Sequence, residues 1–352
     1  MAAQTSLLTK LILTMQMVGM KPLNDYFGGI ENAQFFDTEE IQWDLVDIKN
    51  TPAEYHPLTQ KAQIVGKKGF KRLTMTPPTI NEGIVRDSYS ARGLKAGELA
   101  IKRQGQPSGL NREAMRNLEH AEVLLRRYKT RLLVQTGEAL SVGGITINKD
   151  GDQLFYNVPA GNKFTPNWSL AATSRLSTLK AMVDAMKDLS RFPTRFVFGS
   201  AMLTSLTEGT DIIEVSNTTN KGVNFVRYET TEEQIESGYY RAAKVLVDSK
   251  WYDIYVWEDT YTNSAGAVTS YYPAKGMTLT STGFGGMAYG GVNIANDTTK
   301  EVDWIAAEFY AKEGEKTSNS DDNPEYKDIF KSAPAVIIPD GSQIAIATVT
   351  TA

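Results

Sequence analysis

The residues that could act as bases or nucleophiles are few and scattered. The chain has 352 residues, no cysteine and two histidines, His56 and His120. His56 lies in a proline-bounded segment and His120 inside a long helical pattern, and neither adjoins a nucleophile-elbow sequence. A catalytic triad needs a nucleophile, a base and an orienting acid that converge. The pattern therefore favours surface or packing histidines, and we expect no catalytic residue.

Two acidic pairs and one glycine-rich string also lack the geometry of a metal or nucleotide site. The pairs Glu39-Glu40 and Asp321-Asp322 consist of adjacent residues whose side chains point apart, which is unsuited to sharing a proton or a metal ion. The string Gly283–Ala288 (GFGGMA) is followed by Tyr-Gly-Gly and not by a helix start that could hold a pyrophosphate. We expect a glycine-rich turn there, and neither a cofactor nor a metal.

Composition excludes several classes of protein. The chain is 41% hydrophobic and 22% charged, as globular chains are. It carries 37 basic and 41 acidic side chains, a net charge of -4, so no overall basic field exists to coat nucleic acid. The apolar run near 11–20 is too short for a membrane helix and predicts a short amphipathic helix. We expect no membrane contact, and the lack of cysteine suits a reducing cytoplasm.

Positive charge is concentrated in one segment rich in proline and glycine. Residues 51–110 contain ten Lys/Arg and four Asp/Glu, whereas residues 1–50 contain three and seven. The string 63–75 (QIVGKKGFKRLTM) predicts a hairpin with a glycine-flanked tip. Because an isolated hairpin is marginal in water, we expect this one to rest on a neighbour. The candidate contact residues are Gly66, Lys67, Lys68, Gly69, Phe70, Lys71 and Arg72.

The clearest helix follows this basic segment. Asn111 is a suitable N-cap and Gly137 is expected near the end of the helix. Apolar residues recur with alternating spacings of four and three, which places them along one narrow face. The residues expected to pack on this face include Leu118, Ala121, Leu125, Tyr128 and Leu132.

The remaining pattern mixes hairpins, one further helix and strands, which predicts an α+β fold. A hairpin is expected around Asp150-Gly151, and a second hairpin is expected between 251–257 and 268–272. A second helix is expected to bury Leu176, Leu179, Val183, Met186 and Leu189 on one side, and a strand 195–198 follows it. Two end strands are expected at 335–338 and 343–349, and the polar stretch 313–325 is expected to form a loop.

Several segments together resemble the lambda-like phage major capsid (head) protein family, which has the Hong Kong 97 fold. KPLNDYFGG and FFDTEEIQWDLVDIK are similar to the early segment of that family, and IVGKKGFKRLTMTPP stands where the family has its extended loop. Residues 111–140 stand where it has the spine helix. The close, DIFKSAPAVIIPDGSQIAIATV, resembles its terminal pattern, with Ser332, Ala333 and Pro334 at the start of the last apolar run. The likeness spans nearly the whole chain.

This resemblance implies a Hong Kong 97-type α+β capsid fold with four parts. They are an N-terminal arm (1–50), an extended loop (51–95), a peripheral domain (96–170 and 290–352) with the spine helix at 111–136, and an axial domain (171–289). The resemblance implies that the arm and the loop, roughly the first hundred residues, become ordered by lying on sister copies.

The resemblance also implies partners and a place of action. Such proteins form hexamers and pentamers of a closed icosahedral shell in the virion, assembled in the host cytoplasm around double-stranded DNA that is contacted non-specifically. The chain begins without the charged helical pre-segment that some relatives use as a scaffold, which implies a separate scaffolding protein. A portal is a further partner, and a decoration protein is left open. Some relatives crosslink a loop lysine to an asparagine of a neighbour, and Lys67 and Lys68 stand at that place, but we expect no such bond here.

Two alternative functions remain open at the level of the sequence. An encapsulin-like compartment shares the implied fold but encloses enzymes and not a genome. A hydrolase or sugar-binding module is suggested by the 16 tyrosines, the 5 tryptophans and the several hairpins.

Overall fold

The structure of the protein is a computed structural model that describes most of the chain. The described ranges are 20–46, 70–86, 109–147, 151–169, 173–189, 191–209, 226–228, 238–281, 283–295, 302–316 and 326–351. The expected N-terminal amphipathic helix, His56, the loop tip 66–69 and the acidic pair 321–322 lie outside these ranges.

The helices of the described residues, in chain order, are α1 (Lys21–Phe27), α2 (Gly109–Val142), α3 (Arg175–Asp188) and α4 (Met202–Thr207). Helix α3 begins where Ser174 accepts a hydrogen bond from the backbone N–H of Ser177, and it buries Leu179, Val183 and Met186 as expected. Leu189, expected on the buried side, follows the helix and is 41% exposed. Among the described helices, none is long and apolar enough to cross a bilayer.

Helix α2 continues past the residue at which the sequence predicted its end. The terminating residue is Gly143, whose φ of 72° is left-handed and whose backbone N–H donates to the carbonyl of Ala139 at 3.1 Å. The prediction for Gly137 was wrong because this glycine serves a close approach. A Cβ at Gly137 would lie 1.9 Å from the carbonyl oxygen of Tyr271, so the chain crosses the helix where no side chain stands.

The strands follow in chain order. The first group is β1 (Gln34–Phe35), β2 (Ile41–Val46), β3 (Phe70–Met75), β4 (Ile80–Arg86), β5 (Gly144–Thr146), β6 (Gln153–Phe155), β7 (Lys163–Phe164), β8 (Pro193–Gly199), β9 (Val226–Tyr228), β10 (Tyr239–Val247) and β11 (Lys250–Trp257). The second group is β12 (Thr260–Thr262), β13 (Val268–Ser270), β14 (Gly276–Ser281), β15 (Gly286–Tyr289), β16 (Val292–Ala295), β17 (Val302–Ile305), β18 (Tyr310–Lys316), β19 (Tyr326–Ser332), β20 (Pro334–Ile337) and β21 (Ile344–Thr348).

The largest sheet has seven strands in the order β7-β21-β14-β8-β11-β10-β9. Helix α3 packs on one face of it, where Phe196, Tyr252 and Ile254 meet the apolar side of the helix. The last strand of the chain, β21, pairs antiparallel with β14 in this sheet. Residues 344–348, which the expected division assigns to the peripheral domain, therefore share a sheet with strands from 171–289.

Two predicted hairpins have different outcomes. The one around Asp150-Gly151 is confirmed, because β5 pairs antiparallel with β6. The pairing of 251–257 with 268–272 was wrong, because β11 pairs with β10 across Asp248 and Ser249. These two residues have φ values of 46° and 66°, as a two-residue type I′ turn requires. The turn predicted at 263–266 does exist, but it joins the short strands β12 and β13.

Two three-stranded sheets bring strands from the C-terminal part of the chain together with strands from its first 86 residues. Their orders are β1-β15-β20 and β18-β19-β4. Strand β18 extends through Lys316, so the predicted loop 313–325 was wrong for its first four residues, and 317–325 lie outside the described ranges. Strands β2 and β3 form a separate two-stranded ribbon, and β16 and β17 form another.

One hydrophobic core lies between helix α3 and the seven-stranded sheet, and a second lies between helix α2, the sheet β1-β15-β20 and the N-terminal segment. Met20, Leu23, Tyr26 and Phe27 are all buried in it. The expectation that the N-terminal arm lies away from its own core was therefore wrong for this segment. The physical reason is aromatic contact, since the ring of Phe27 lies 5.3 Å from that of Phe284.

Candidate functional site

The terminal motif Ser332-Ala333-Pro334 is the point at which the chain changes sheets. Ser332 is the last residue of β19 and pairs with Ile80 of β4, whereas Pro334 is the first residue of β20 and pairs with Tyr289 of β15. All three motif residues are buried. The carbonyl of Ala333 accepts from the backbone N–H of Gly290 at 2.9 Å. The motif therefore joins the sheet β18-β19-β4 to the sheet β1-β15-β20.

Side-chain contacts attach helix α2 to the sheet β18-β19-β4. Arg127 donates two hydrogen bonds to the carboxylate of Glu82 on β4, at 2.6 and 2.8 Å, and this pairing raises the pKa of Arg127. His120 Nδ1 lies 3.3 Å from Asp328 Oδ2 on β19. The carboxylate of Asp328 is fully buried, whereas His120 is partly exposed. His120 is thus part of a structural contact between a helix and a strand.

Through Tyr128 the same helix contacts both three-stranded sheets, at Tyr289 of β15 and at Phe330 of β19. The hydroxyls of Tyr128 and Tyr289 are 2.6 Å apart, and the ring of Tyr128 lies 5.4 Å from that of Phe330. Burial raises the pKa of Tyr128 far above its ordinary value, so its hydroxyl keeps its proton and can donate.

The outer edge of β20 is buried and is satisfied by side chains. Gln135 Nε2 donates to the carbonyl of Pro334 at 3.3 Å, and the hydroxyl of Tyr156 donates to the carbonyl of Val336. These carbonyls are two residues apart and so point to the same edge of the strand. Two side chains thus replace the neighbouring strand that β20 lacks on this side.

Glu308 lies beside the sheet-changing motif in an unusual environment. Its backbone carbonyl accepts a hydrogen bond from the hydroxyl of Ser332. Its carboxylate oxygen Oε1 is buried and has no hydrogen-bond partner in the part of the chain that the structure describes. Burial raises the pKa of Glu308, because the charged form is poorly solvated there. The ionised carboxylate is therefore a source of instability at this junction.

The ribbon β2–β3 leaves the core at its base. Ile41 and Met75 pair at the base and are buried, whereas Gln42, Arg72 and Thr74 are exposed. The backbone register places Asp44 opposite Arg72. Residues 47–69, which join the two strands in sequence, are outside the described ranges. The described partner of the basic strand 70–75 is thus 41–46, and the predicted partner 63–65 is not described.

The structure describes some of the predicted site residues and not others. Phe70, Lys71 and Arg72 lie in β3, and the tip residues 66–69 are outside the described ranges. On helix α2, the side chain of Leu118 is also outside them. The residues of the predicted helix face that are described, Ala121, Leu125, Tyr128 and Leu132, are all buried.

Sequence reasoning missed Gln135, Tyr156 and Glu308. Gln135 could have been noticed in the sequence, because it is a polar residue beside the apolar face of a helix. Nothing in the local sequence marks Tyr156 or Glu308, since their role depends on residues about 180 and 24 positions away in the chain.

The predicted glycine-rich string has no nucleotide-binding geometry. Gly283 has a φ of 64°, and the residues from Gly286 onward form strand β15 and not a helix. In the described residues, no three His, Asp or Glu side chains come close enough to share a metal ion. The described residues of this site form a structural junction between the core under helix α2 and the ribbon β2–β3.

Comparison with protein families decides the class. The family described as phage major capsid protein E matches residues 14–321 of the chain. The chain belongs to this family. No curated protein matches the sequence of this capsid protein. The family match covers the N-terminal segment, helix α2, the seven-stranded sheet except β21, and strand β18.

Solved structures show the fold of the capsid protein. A crystal structure of a protein assigned as the capsid protein of a prophage in Escherichia coli CFT073 has a TM-score of 0.64 at 15% identity and covers 99% of this chain and 100% of its own. The mature capsid of bacteriophage PhiM1 has a TM-score of 0.44 at 11% identity, with 93% and 87% covered. The SrpI encapsulin of Synechococcus elongatus PCC 7942 has a TM-score of 0.41 at 8% identity, with 80% and 77% covered.

The capsid protein therefore has the predicted α+β architecture of the Hong Kong 97 type. Its function is structural, as a major capsid protein of a bacteriophage, and its place is the virion. The resemblance drawn from the sequence is confirmed at the level of family and fold.

Proposed function

We propose that this capsid protein assembles as hexamers and pentamers into a closed icosahedral head that encloses double-stranded DNA. The observation that carries the proposal is the ribbon β2–β3. Among its described side chains, Ile41 and Met75 at the base are buried, Trp43 and Leu73 are half-buried, and Gln42, Arg72 and Thr74 are exposed. A ribbon of two strands is marginal in water unless it packs on another surface. In a shell, a neighbouring copy supplies such a surface.

Electrostatics support the same arrangement. Residues 1–50 are acidic and residues 51–110 are basic, with four acids against ten bases in the latter. The backbone register of β2 and β3 places Asp44 opposite Arg72 in the same chain. We propose that the positive charge of residues 51–110 also contacts a neighbouring copy. Each exposed ion pair contributes about 0 to 1 kcal/mol, and many such contacts at high effective concentration stabilise a closed shell.

The four-part division of the chain belongs to this proposal. The arm, the extended loop, the peripheral domain and the axial domain keep the bounds given above with two changes. The spine helix runs over Gly109–Val142 and not over 111–136, and β7 and β21 pair in the same sheet as the strands of 171–289. The residues proposed to contact a neighbour are 66–72. We also propose that no lysine–asparagine bond forms at Lys67 or Lys68, so denatured shells should run as single chains in gel electrophoresis.

The proposal is tested by neutralising the loop. The variant with Lys67, Lys68, Lys71 and Arg72 all changed to Ala should form few shells in negative-stain micrographs, while its unassembled subunit keeps the far-ultraviolet circular dichroism of the wild type. The matched control exchanges each Lys for Arg and Arg72 for Lys, which keeps the charge. Wild-type yield from the neutral variant would contradict the proposal, and so would a wild-type protein that stays a small monodisperse species in infected or induced cells, where the other phage proteins are present.

The enclosed material separates a phage head from an encapsulin-like compartment. Purified particles from infected or induced cells should contain nuclease-protected double-stranded DNA, whereas a compartment would contain a protein cargo. Neighbouring portal and terminase genes would point the same way. A hydrolase or sugar-binding role would instead show ligand-dependent melting of a small species. A scaffolding protein, a portal, a decoration protein and assembly in the host cytoplasm remain predictions, to be tested by co-expression.

A further inference from the structure

The glycine-rich string 283–286 (GFGG), which binds no nucleotide, forms a seat for an aromatic side chain. A Cβ at Gly285 would lie 2.3 Å from Cδ1 of Phe27 on helix α1. The ring of Phe284 lies 5.3 Å from the ring of Phe27 and 6.3 Å from that of Tyr26. The missing side chain at Gly285 therefore admits the ring of Phe27. We call Phe284 and Gly285 the glycine seat.

Tyr26, the neighbour of Phe27 in helix α1, is held on the seven-stranded sheet. Its hydroxyl lies 2.7 Å from the hydroxyl of Tyr239 on β10, which in turn lies 3.1 Å from Oδ2 of Asp25. On β8, Cζ of Arg195 lies 5.5 Å from the centroid of the Tyr26 ring, which is the distance of a cation–π contact. The two adjacent rings of helix α1 therefore dock on two different parts of the subunit.

Helix α1 has the properties of an element that can leave this place by itself. It has seven residues and no side-chain hydrogen bond at its N-cap, and helices shorter than about 12 residues are marginal on their own. Gly28 and Gly29 follow it with φ values of 73° and 67°, and glycine adopts many other conformations at low cost. Beyond these glycines, β1 pairs with β15. The chain can therefore turn at Gly28 and Gly29 while β1 stays in its sheet.

The remainder of the subunit stays joined without helix α1. Helix α2 contacts β14 of the seven-stranded sheet, where the hydroxyl of Thr278 donates to the carbonyl of Leu140 at 2.7 Å. It also contacts β20 of the neighbouring sheet, where Gln135 donates to the carbonyl of Pro334. Loss of the α1 contacts therefore separates neither sheet from helix α2.

We infer that helix α1 is a reversible strap, whose two rings leave the glycine seat and the seven-stranded sheet together while both sheets stay folded. The hinge of the strap is Gly28 and Gly29. Such a strap redirects residues 20–27 without unfolding of the subunit. The inference concerns a single copy of the chain and is measured on unassembled subunits, so it stands or falls independently of the proposed assembly.

The absence of cysteine allows undocking to be measured with a single introduced thiol. Leu23 on helix α1 and Leu279 on β14 are both fully buried. The thiol of Leu23→Cys should react with an aromatic disulfide reagent about a hundredfold faster than the thiol of Leu279→Cys, because only the first is exposed by local opening. Equal rates would mean that helix α1 opens only when the whole subunit unfolds, and would overturn the inference.

Two adjacent glycines provide matched variants for the glycine seat. Gly285→Ala fills the seat and should raise the reaction rate at position 23 about tenfold without changing the rate at position 279. Gly286→Ala is the control, since nothing lies within 4 Å of its Cβ position, and it should leave both rates unchanged. An unchanged rate at position 23 in Gly285→Ala would overturn the inference, and so would an equal rise at both positions.

A second pair of variants tests the sheet side of the strap and serves also if Gly285→Ala does not fold. Tyr239→Phe removes the hydroxyl that contacts Tyr26 and Asp25, and it should raise the rate at position 23 by about threefold to tenfold. Tyr240→Phe is the control, because Tyr240 packs on the α3 side of the same sheet and its hydroxyl bonds to Glu258. Equal rates at position 23 in these two variants would contradict the inference.

Discussion

Replacement of Gly137 by Ala tests the structure of helix α2, because helix propensity and the tertiary contact predict opposite changes in the free energy of unfolding. In the interior of a helix, Ala is more favourable than Gly by about 0.8 to 1.0 kcal/mol. By helix propensity alone, the substitution should therefore stabilise the subunit. The structure predicts the opposite, because the new Cβ would lie 1.9 Å from the carbonyl oxygen of Tyr271.

The size of the effect follows from that distance. Carbon and oxygen atoms in weak contact are about 3.3 Å apart, so helix and crossing chain must separate by more than about 1 Å. The obstructing atom belongs to the backbone, and no side-chain rotation can relieve the contact. Inserting an extra methyl group into a packed site costs about 1 to 3 kcal/mol. Because the obstructing atom is backbone, we place the cost in the upper part of this range, at about 2 to 3 kcal/mol, and subtracting about 1 kcal/mol of propensity leaves a net destabilisation of about 1 to 2 kcal/mol.

The assay is urea unfolding of unassembled subunits, followed by far-ultraviolet circular dichroism. With a slope of about 3 kcal/mol per molar urea, the midpoint should fall by about 0.5 M. Gly161→Ala is the control, since no atom lies within 4 Å of its Cβ position and its φ is not positive. The control midpoint should stay equal or rise slightly. A midpoint that rises for Gly137→Ala would refute the close-approach reasoning.

Three further predictions concern the junction beside helix α2. Burial raises the pKa of Glu308 in the folded subunit, so its contribution to stability is complete below about pH 4.5 and is lost as pH rises through the folded pKa. Glu308→Gln should therefore raise the urea midpoint at pH 7 and not at pH 4, and an equal difference at both values would contradict this. Tyr156→Phe leaves the buried carbonyl of Val336 without its donor and should cost about 1 to 3 kcal/mol in the same assay, whereas a loss below about 0.5 kcal/mol would show that the bond is dispensable. Alanine variants of Arg127 and Glu82, alone and together, should show a coupling free energy of at most about 1 kcal/mol in a double-mutant cycle, because Arg127 is 65% exposed, and a larger value would mean that the pair is poorly screened by solvent.

Local sequence patterns predicted much of the secondary structure. The apolar spacing of helix α2 and the turn signal at Asp150-Gly151 were sufficient because each depends on residues that are close in sequence. The end of helix α2 was not predictable in this way. The sequence pattern placed the end near Gly137, and only the close approach of Tyr271 shows why that glycine lies inside a helix that ends at Val142.

Strand partners were predicted less well than strands. The run 251–257 is clearly a strand, but its partner is the preceding strand β10. The two-residue turn Asp248-Ser249 that joins them has left-handed backbone at both positions, which these residue types only weakly indicate. Hydrogen-bond partners depend on the whole sheet, and a strand has two edges on which they can lie.

The sequence by itself determined the absence of thiol chemistry, the division of charge between 1–50 and 51–110, and the resemblance to phage capsid proteins. These properties depend on residue types and on their order, which are visible without coordinates. Only the tertiary structure decided that the segment 20–36 packs on its own core and that β21 pairs between β7 and β14 in the seven-stranded sheet. It alone also revealed that Ser332–Pro334 joins two sheets. The physical reason is that burial and pairing arise between residues far apart in the chain, whose contact carries no signal in the local sequence.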